Sequence, residues 1–176
     1  MAQERSGVVT FKGGPVTLIG PALKVGDPAP DFELIDNAMQ PVKLADSAGK
    51  TRLISVVPSL DTAVCAAQTK RFNEEAAKLG DDVVIYTVSV DLPMAQKRFC
   101  GAEGTDKIVA LSDYKHRKFG EGYGVLIEEL MLLARSIFVV GPDDRLKHVE
   151  IVKEIVEHPD YDKALAAARG GATARV

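Results

Sequence analysis

Tryptophan is missing from the 176 residues, histidine occurs three times, cysteine twice, and the formal net charge is −3. Each shortage closes off a class of protein. Two cysteines cannot staple a disulfide-dense scaffold. The histidines, His116, His148 and His158, share no metal-ligand spacing with one another or with the cysteines, so neither a metal nor an organic cofactor is expected. No Lys/Arg-rich stripe is left over to neutralise phosphates, which argues against nucleic acid as a partner. The single basic run, Lys115-His116-Arg117-Lys118, reads as a solvated face. No stretch approaches ~18 consecutive apolar residues, and Met1 to Gly7 has no apolar leader core, so a soluble cytoplasmic protein with no membrane partner is expected. Gly120-Glu121-Gly122-Tyr123-Gly124 lacks the lysine of a phosphate loop. No Cys-x-x-Cys, internal repeat or low-complexity tract occurs.

What is present is ordinary for a folded domain. Hydrophobic residues make up 46% and charged residues 27%, and the length suits a single domain over residues 1–176 with a real core. Val8 to Phe11 and Val16 to Ile19 flank Lys12-Gly13-Gly14-Pro15 and read as a hairpin, an extension over residues 1–20 ahead of the rest. Pro21 to Pro30 is a connector. A second hairpin is expected from Phe32–Ile35 and Pro41–Leu44. Leu53–Val57 and Val83–Val90 are nearly continuous apolar runs, the pattern of strands covered on both faces. Asp91 is placed to cap a short helix from Pro93 to about Phe99, stopped by Gly101 and Gly104. Ile108–Leu111 follows as a strand and Asp113–Phe119 as a short helix or turn, ended by glycines 120, 122 and 124. Ala134–Val140 and Arg145–Ile151 flank a turn at Gly141-Pro142-Asp143-Asp144. Asp160 caps a last helix through Ala168, and residues 169–176 read as a frayed tail. The order describes an α/β protein, a mixed central sheet with helices on both faces.

One stretch carries chemistry. At Pro58 the strand pattern gives way to a helical one that runs to about Leu79, and Cys65 falls in the first turn. The first N–H groups of a helix have no partner within it and, with the macrodipole, favour a negative charge nearby. A thiolate is stabilised there, which makes Cys65 a candidate nucleophile. Thr62, Cys65, Thr69, Phe72, Ala76 and Leu79 follow one helix face, so the Thr62 hydroxyl and the thiol are expected together above the core stripe. Pro58 ends the strand and would close the pocket from the other side. The alternative is a small apolar cysteine packed in a core, as most lone cysteines are.

Pro58, Thr62 and Cys65 match Pro-x-x-x-Thr-x-x-Cys, the active-site signature of the peroxiredoxins. The longer run Pro-Ser-Leu-Asp-Thr-x-Val-Cys-x-x-Gln-Thr, followed by Phe72-Asn73, resembles the bacterial thiol peroxidases, the atypical two-cysteine branch. The resemblance implies a thioredoxin-like fold with an N-terminal β-hairpin, a homodimer, and reduction of hydrogen peroxide and organic hydroperoxides. It also implies that thioredoxin or a similar dithiol restores the enzyme.

It further implies roles. Thiolate formation by itself yields only about thirtyfold near neutral pH, small beside enzymatic accelerations, so donors must meet the charge that builds on the departing oxygen. The helix-start N–H groups and the Thr62 hydroxyl are local candidates. Arg135, in the family's Leu-Leu-Ala-Arg context, is implied to hold the thiolate and the peroxide. By alternation it shares an apolar face with Ile137 and Val139, where an arginine without such a task would snorkel to water or pair with a carboxylate. Cys100, at the C-terminal end of its short helix, is badly placed for a thiolate but suits a resolving cysteine that attacks a Cys65 sulfenic acid. Two rivals stay open: a thiol-disulfide oxidoreductase on the same fold, opposed by the missing Cys-x-x-Cys, and a peroxide-sensing module whose disulfide alters a partner surface.

Overall fold

The apolar runs at Leu53 and Val83 become adjacent strands in the middle of one sheet. The computed structural model describes residues 2–173. In chain order these form β1 (Glu4–Phe11), β2 (Gly14–Ile19), β3 (Glu33–Ile35), β4 (Pro41–Lys43), β5 (Thr51–Val56), α1 (Ala63–Leu79), β6 (Val83–Ser89), α2 (Pro93–Glu103), β7 (Val109–Ser112), α3 (Lys118–Gly122), β8 (Leu126–Ile127), β9 (Ser136–Val140), β10 (Leu146–Ile151) and α4 (Tyr161–Thr173). The large sheet has the order β10-β9-β5-β6-β7-β3-β4. Its strands β5, β6 and β7 are parallel, while β9, β10, β3 and β4 join antiparallel. The N-terminal hairpin pairs with β8 in a separate antiparallel sheet, β1-β2-β8. This is the mixed, thioredoxin-like α/β plan with its hairpin.

Alternation along β5 and β9 divides the core between the two faces of the sheet. Ile54, Val56, Phe138 and Val140 pack with the hairpin residues Val9, Val16 and Leu18. Leu53, Ile137 and Val139 pack with Phe72 and Leu79 of α1 and Ala164, Leu165 and Ala168 of α4. No helix among the described residues is long and apolar enough to cross a membrane.

Several local expectations shift. The hairpin loop is only Lys12-Gly13, because Phe11 pairs with Gly14. Both loop residues have positive φ, 51° and 83°, the backbone twist that suits a two-residue hairpin. Gly101 does not stop α2, which continues to Glu103 and ends at Gly104 in the left-handed conformation. Pro93 takes the first helical position, which makes Leu92 the cap residue and leaves Asp91 free for another task. The turn at Asp113 precedes α3 instead of forming it. Asp113 accepts the Phe119 and Gly120 N–H groups, and burial raises its carboxyl pKa to about 6. Gly120 lies inside α3 instead of ending it, and a Cβ there would come within 2.6 Å of the Leu133 side chain. Asp160 does cap α4, through Lys163 N–H. That helix runs past Ala168 to Thr173, so most of the expected tail is helical, and residues 174–176 lie outside the described residues.

Candidate active site

β5 delivers the chain to the middle of the sheet, and Pro58, buried, turns it into α1. The first intrahelical bond runs from Ala66 N–H to the Thr62 carbonyl, so the N–H groups of Ala63, Val64 and Cys65 have no acceptor four residues back. Cys65 lies in this unpartnered first turn. It is fully buried and packs with Val57 and Leu60, with Phe99 of α2 against them. The Thr69 hydroxyl donates to its carbonyl at 2.9 Å.

Arg135, distant in sequence, reaches the sulfur from the strand beside β5, where Ser136 pairs with Val56. It immediately precedes β9 and shares the face of Ile137 and Val139, the face that α1 covers, as alternation predicts. Its side chain is only 2% exposed. Nη2 donates to Cys65 Sγ at 3.2 Å, Nη1 to Gln68 Oε1 at 2.8 Å, and Nε to the Ile155 carbonyl at 2.7 Å. Gln68, fully buried one turn after Cys65, is held in turn by donating to Ser55 Oγ of β5 at 2.7 Å. No carboxylate makes an ion pair with Arg135 among the described residues. A buried cation held only by neutral dipoles is electrostatically incomplete. The Cys65 sulfur is the third group that the guanidinium meets.

A cleft of about 320 Å³ opens beside Arg135. Pro58, Thr62, Ala63 and Val64 line one side, Phe11, Lys12, Ile155 and Val156 the other, and Arg135 is also in its wall. Most of the lining is apolar. Thr62 is the cap residue of α1 and is exposed. Its hydroxyl donates to the Ser59 carbonyl at 3.1 Å. The chain at Thr62 is still extended, with φ −124° and ψ 151°, as is usual for the residue that caps a helix start.

Cys100 sits in the last turn of α2, half-buried against the core on the α1 face. Its carbonyl accepts the Thr105 N–H at 3.1 Å and is capped by Gly104. Cys65 and Cys100 are both free thiols. The buried residues of α2 are Pro93 and Gln96, both in its first half. Among the described residues no group of three or more His, Cys, Asp or Glu side chains is arranged to hold a metal ion.

The Redoxin family model matches residues 24–165. The thiol peroxidase of Bacillus subtilis (strain 168) is 56% identical over 161 residues, covering 92% of this chain and 96% of that protein. The thiol peroxidase of Listeria innocua is 52% identical over 161 residues, covering 92% and 97%. The chain belongs to the thiol peroxidase family of peroxiredoxins. Among solved structures, a peroxiredoxin-like protein from Aquifex aeolicus is similar, with a TM-score of 0.88, 39% identity, and coverage of 97% of this chain and 98% of that one. A thiol peroxidase from Chromobacterium violaceum has a TM-score of 0.81 at 22% identity, covering 93% and 96%, a likeness of fold.

Within this thiol peroxidase two contributors to the site escape a reading of the sequence. Gln68 enters the sequence reading only as a motif residue with no role, although its spacing of three from Cys65 puts it on the buried stripe. Asp91 looks like a helix cap. Instead its carboxylate accepts Ser59 Oγ–H at 2.7 Å, Leu60 N–H at 2.8 Å and Ser89 Oγ–H at 2.7 Å, tying the loop before Cys65 to the end of β6.

Proposed function

We infer that the protein reduces peroxides with Cys65 as attacking thiol, Cys100 as resolving thiol in the same chain, and thioredoxin or a similar dithiol as reductant. The observation that carries this reading is the 3.2 Å contact between Arg135 Nη2 and Cys65 Sγ, both groups buried at the start of α1. The Cys65 thiolate attacks one peroxide oxygen. A sulfur–oxygen bond forms, the oxygen–oxygen bond breaks, and the departing alkoxide or hydroxide takes a proton, leaving a sulfenic acid on Cys65 and an alcohol or water. Arg135 and the free N–H groups of the helix start are the donors for the charge on the oxygens. Because Gln68 and the Ile155 carbonyl already hold the guanidinium, little reorganisation is needed during the step. Pro58 and Thr62 shape the mouth, with the Thr62 backbone as the start of the helix and its hydroxyl held by Ser59. The apolar walls suit an organic hydroperoxide as well as hydrogen peroxide.

The Cys100 thiolate then attacks the Cys65 sulfur, the sulfur–oxygen bond breaks, and water leaves as a disulfide forms. A dithiol exchanges with that disulfide and returns both thiols. Cys65 is fully buried beneath Phe99, so the last turn of α2 must loosen before the two sulfurs meet. A homodimer in a reducing cytoplasm is the setting that the family resemblance implies, and sedimentation of the reduced protein tests the assembly.

The deciding experiment is rapid mixing of reduced protein with a slight excess of cumene hydroperoxide and, separately, hydrogen peroxide, followed by mass spectrometry of the oxidised cysteines. Fast oxidation ending in a Cys65 to Cys100 disulfide within one chain is expected. Oxidation no faster than that of a free thiolate would favour the sensing reading, and a disulfide between chains would overturn the intramolecular resolution.

A further inference from the structure

Glu154 stands outside the reacting centre, in the segment between β10 and α4, yet it gathers the tip of the N-terminal hairpin. Its Oε1 accepts the Gly13 N–H at 2.7 Å and the Thr10 hydroxyl at 3.1 Å. Its Oε2 accepts the Lys12 N–H and the Val156 N–H, each at 3.2 Å. These bonds, Gly13 first, hold its carboxyl below the usual carboxylate range. Two backbone bonds flank the side chain: Thr10 N–H to the Lys153 carbonyl at 2.7 Å, and Ile155 N–H to the Thr10 carbonyl at 2.9 Å.

The turn that Glu154 holds is not remote from the chemistry. Lys12 and Gly13 are the two positive-φ residues of the hairpin loop, and their N–H groups converge on one carboxylate, a backbone concavity suited to an anion. Phe11 and Lys12 form part of the cleft wall together with Ile155 and Val156, the two residues that follow Glu154 in the chain. The Lys12 ammonium lies 5.5 Å from the centre of the Phe11 ring, which keeps the apolar part of Lys12 along the same wall. The body of the hairpin is held by β8 and by core packing of Val9, Val16 and Leu18, with Phe11 packed against that core, while at the tip the Glu154 carboxylate gathers four donors, two of them the N–H groups of the turn beside Phe11.

We propose that Glu154 is a positioning residue for the organic part of the substrate: it clamps the Lys12-Gly13 turn so that Phe11 and Lys12 wall the cleft beside Arg135. The proposal rests on the reading of Cys65 as the peroxide-attacking thiol. A peroxide group bound at Arg135 directs any organic substituent outward along this wall, whereas hydrogen peroxide has no substituent to place there. Loss of the clamp therefore acts on discrimination between peroxides, through the apparent affinity for the larger one.

The test is E154Q, which replaces one acceptor oxygen by an amide that faces N–H groups. The rate of Cys65 oxidation is measured against concentration for cumene hydroperoxide and for hydrogen peroxide. The ratio of the two rate constants is expected to fall about tenfold, the low end for loss of an apolar pocket contact, through a raised half-saturation concentration for cumene hydroperoxide. F11A should lower the ratio similarly, and the double variant no further, because both act on one wall. Equal slowing with both peroxides, an unchanged ratio, or losses that multiply in the double variant would overturn the assignment. Wild-type protein that reacts slowly with both peroxides would instead overturn the peroxidase reading beneath it.

Discussion

Cys65 and Cys100 lie in neighbouring parts of one core but in opposite kinds of surroundings. Cys65 is fully buried in the first turn of a 17-residue helix, and the groups around it are tied to β5, β9 and the segment after β10. Cys100 is half-buried in the last turn of an 11-residue helix, with Gly101 beside it and Gly104 in the left-handed conformation just beyond. The first arrangement is held by side chains that are themselves held. The second rests on a helix end with few buried contacts, the kind of element that opens locally at low cost. Under the proposed mechanism the firmly held arrangement is the one that would meet charge, and the less buried helix end is the one whose sulfur would travel.

Exchanging the two thiols for hydroxyls is the strongest way to test that contrast. Cys65→Ser should abolish peroxide consumption, whereas Cys100→Ser should allow one turnover and then stall or depend on added thiol, as read from product formed per subunit. Identical loss within a single turnover would erase the distinction. Next in size is Arg135→Ala, expected to slow Cys65 oxidation by about 10²- to 10³-fold, the range for removing one donor to a developing oxyanion. An unchanged rate in stopped flow would mean that the arginine is merely structural. Gln68→Ala leaves the charge in place but frees Nη1, and a slowing of about tenfold is expected, as for other residues that orient a reacting group. The smallest effect falls on the other side of the comparison. A Cβ at Gly101 meets no atom within 4 Å, so Gly101→Ala should stabilise α2 by about 1 kcal/mol. If unwinding precedes resolution, disulfide formation then slows about fivefold and sulfinic acid accumulates, with the peroxide step unaltered. Faster disulfide formation in that variant would show that the intact helix is the competent state.

The parts of the site that could be read beforehand are the contiguous ones. Pro58, Thr62 and Cys65 fall within one strand-to-helix junction, and a helix start follows from local pattern. Arg135 was visible as an anomaly, a cation on an apolar face. Other readings failed where a local rule had two outlets. Asp91 before a proline suggests a cap, but the first-turn proline moved the cap to Leu92 and left the carboxylate for Ser59 and Leu60. Thr62 is the cap residue of α1, not its first residue, and its hydroxyl donates to the Ser59 carbonyl.

By itself the sequence determined the strand periods, the helix that begins after Pro58, the hairpins and the presence of a cysteine at a helix start, because each depends on neighbours within a few residues. The Arg135–sulfur contact across 70 residues was implied by family resemblance and not by any local pattern, and only the tertiary structure decided that Gln68 is buried against Arg135 and that Glu154 holds a turn 141 residues distant. Those contacts are made by sheet order and strand register, which bring together side chains that no local rule relates.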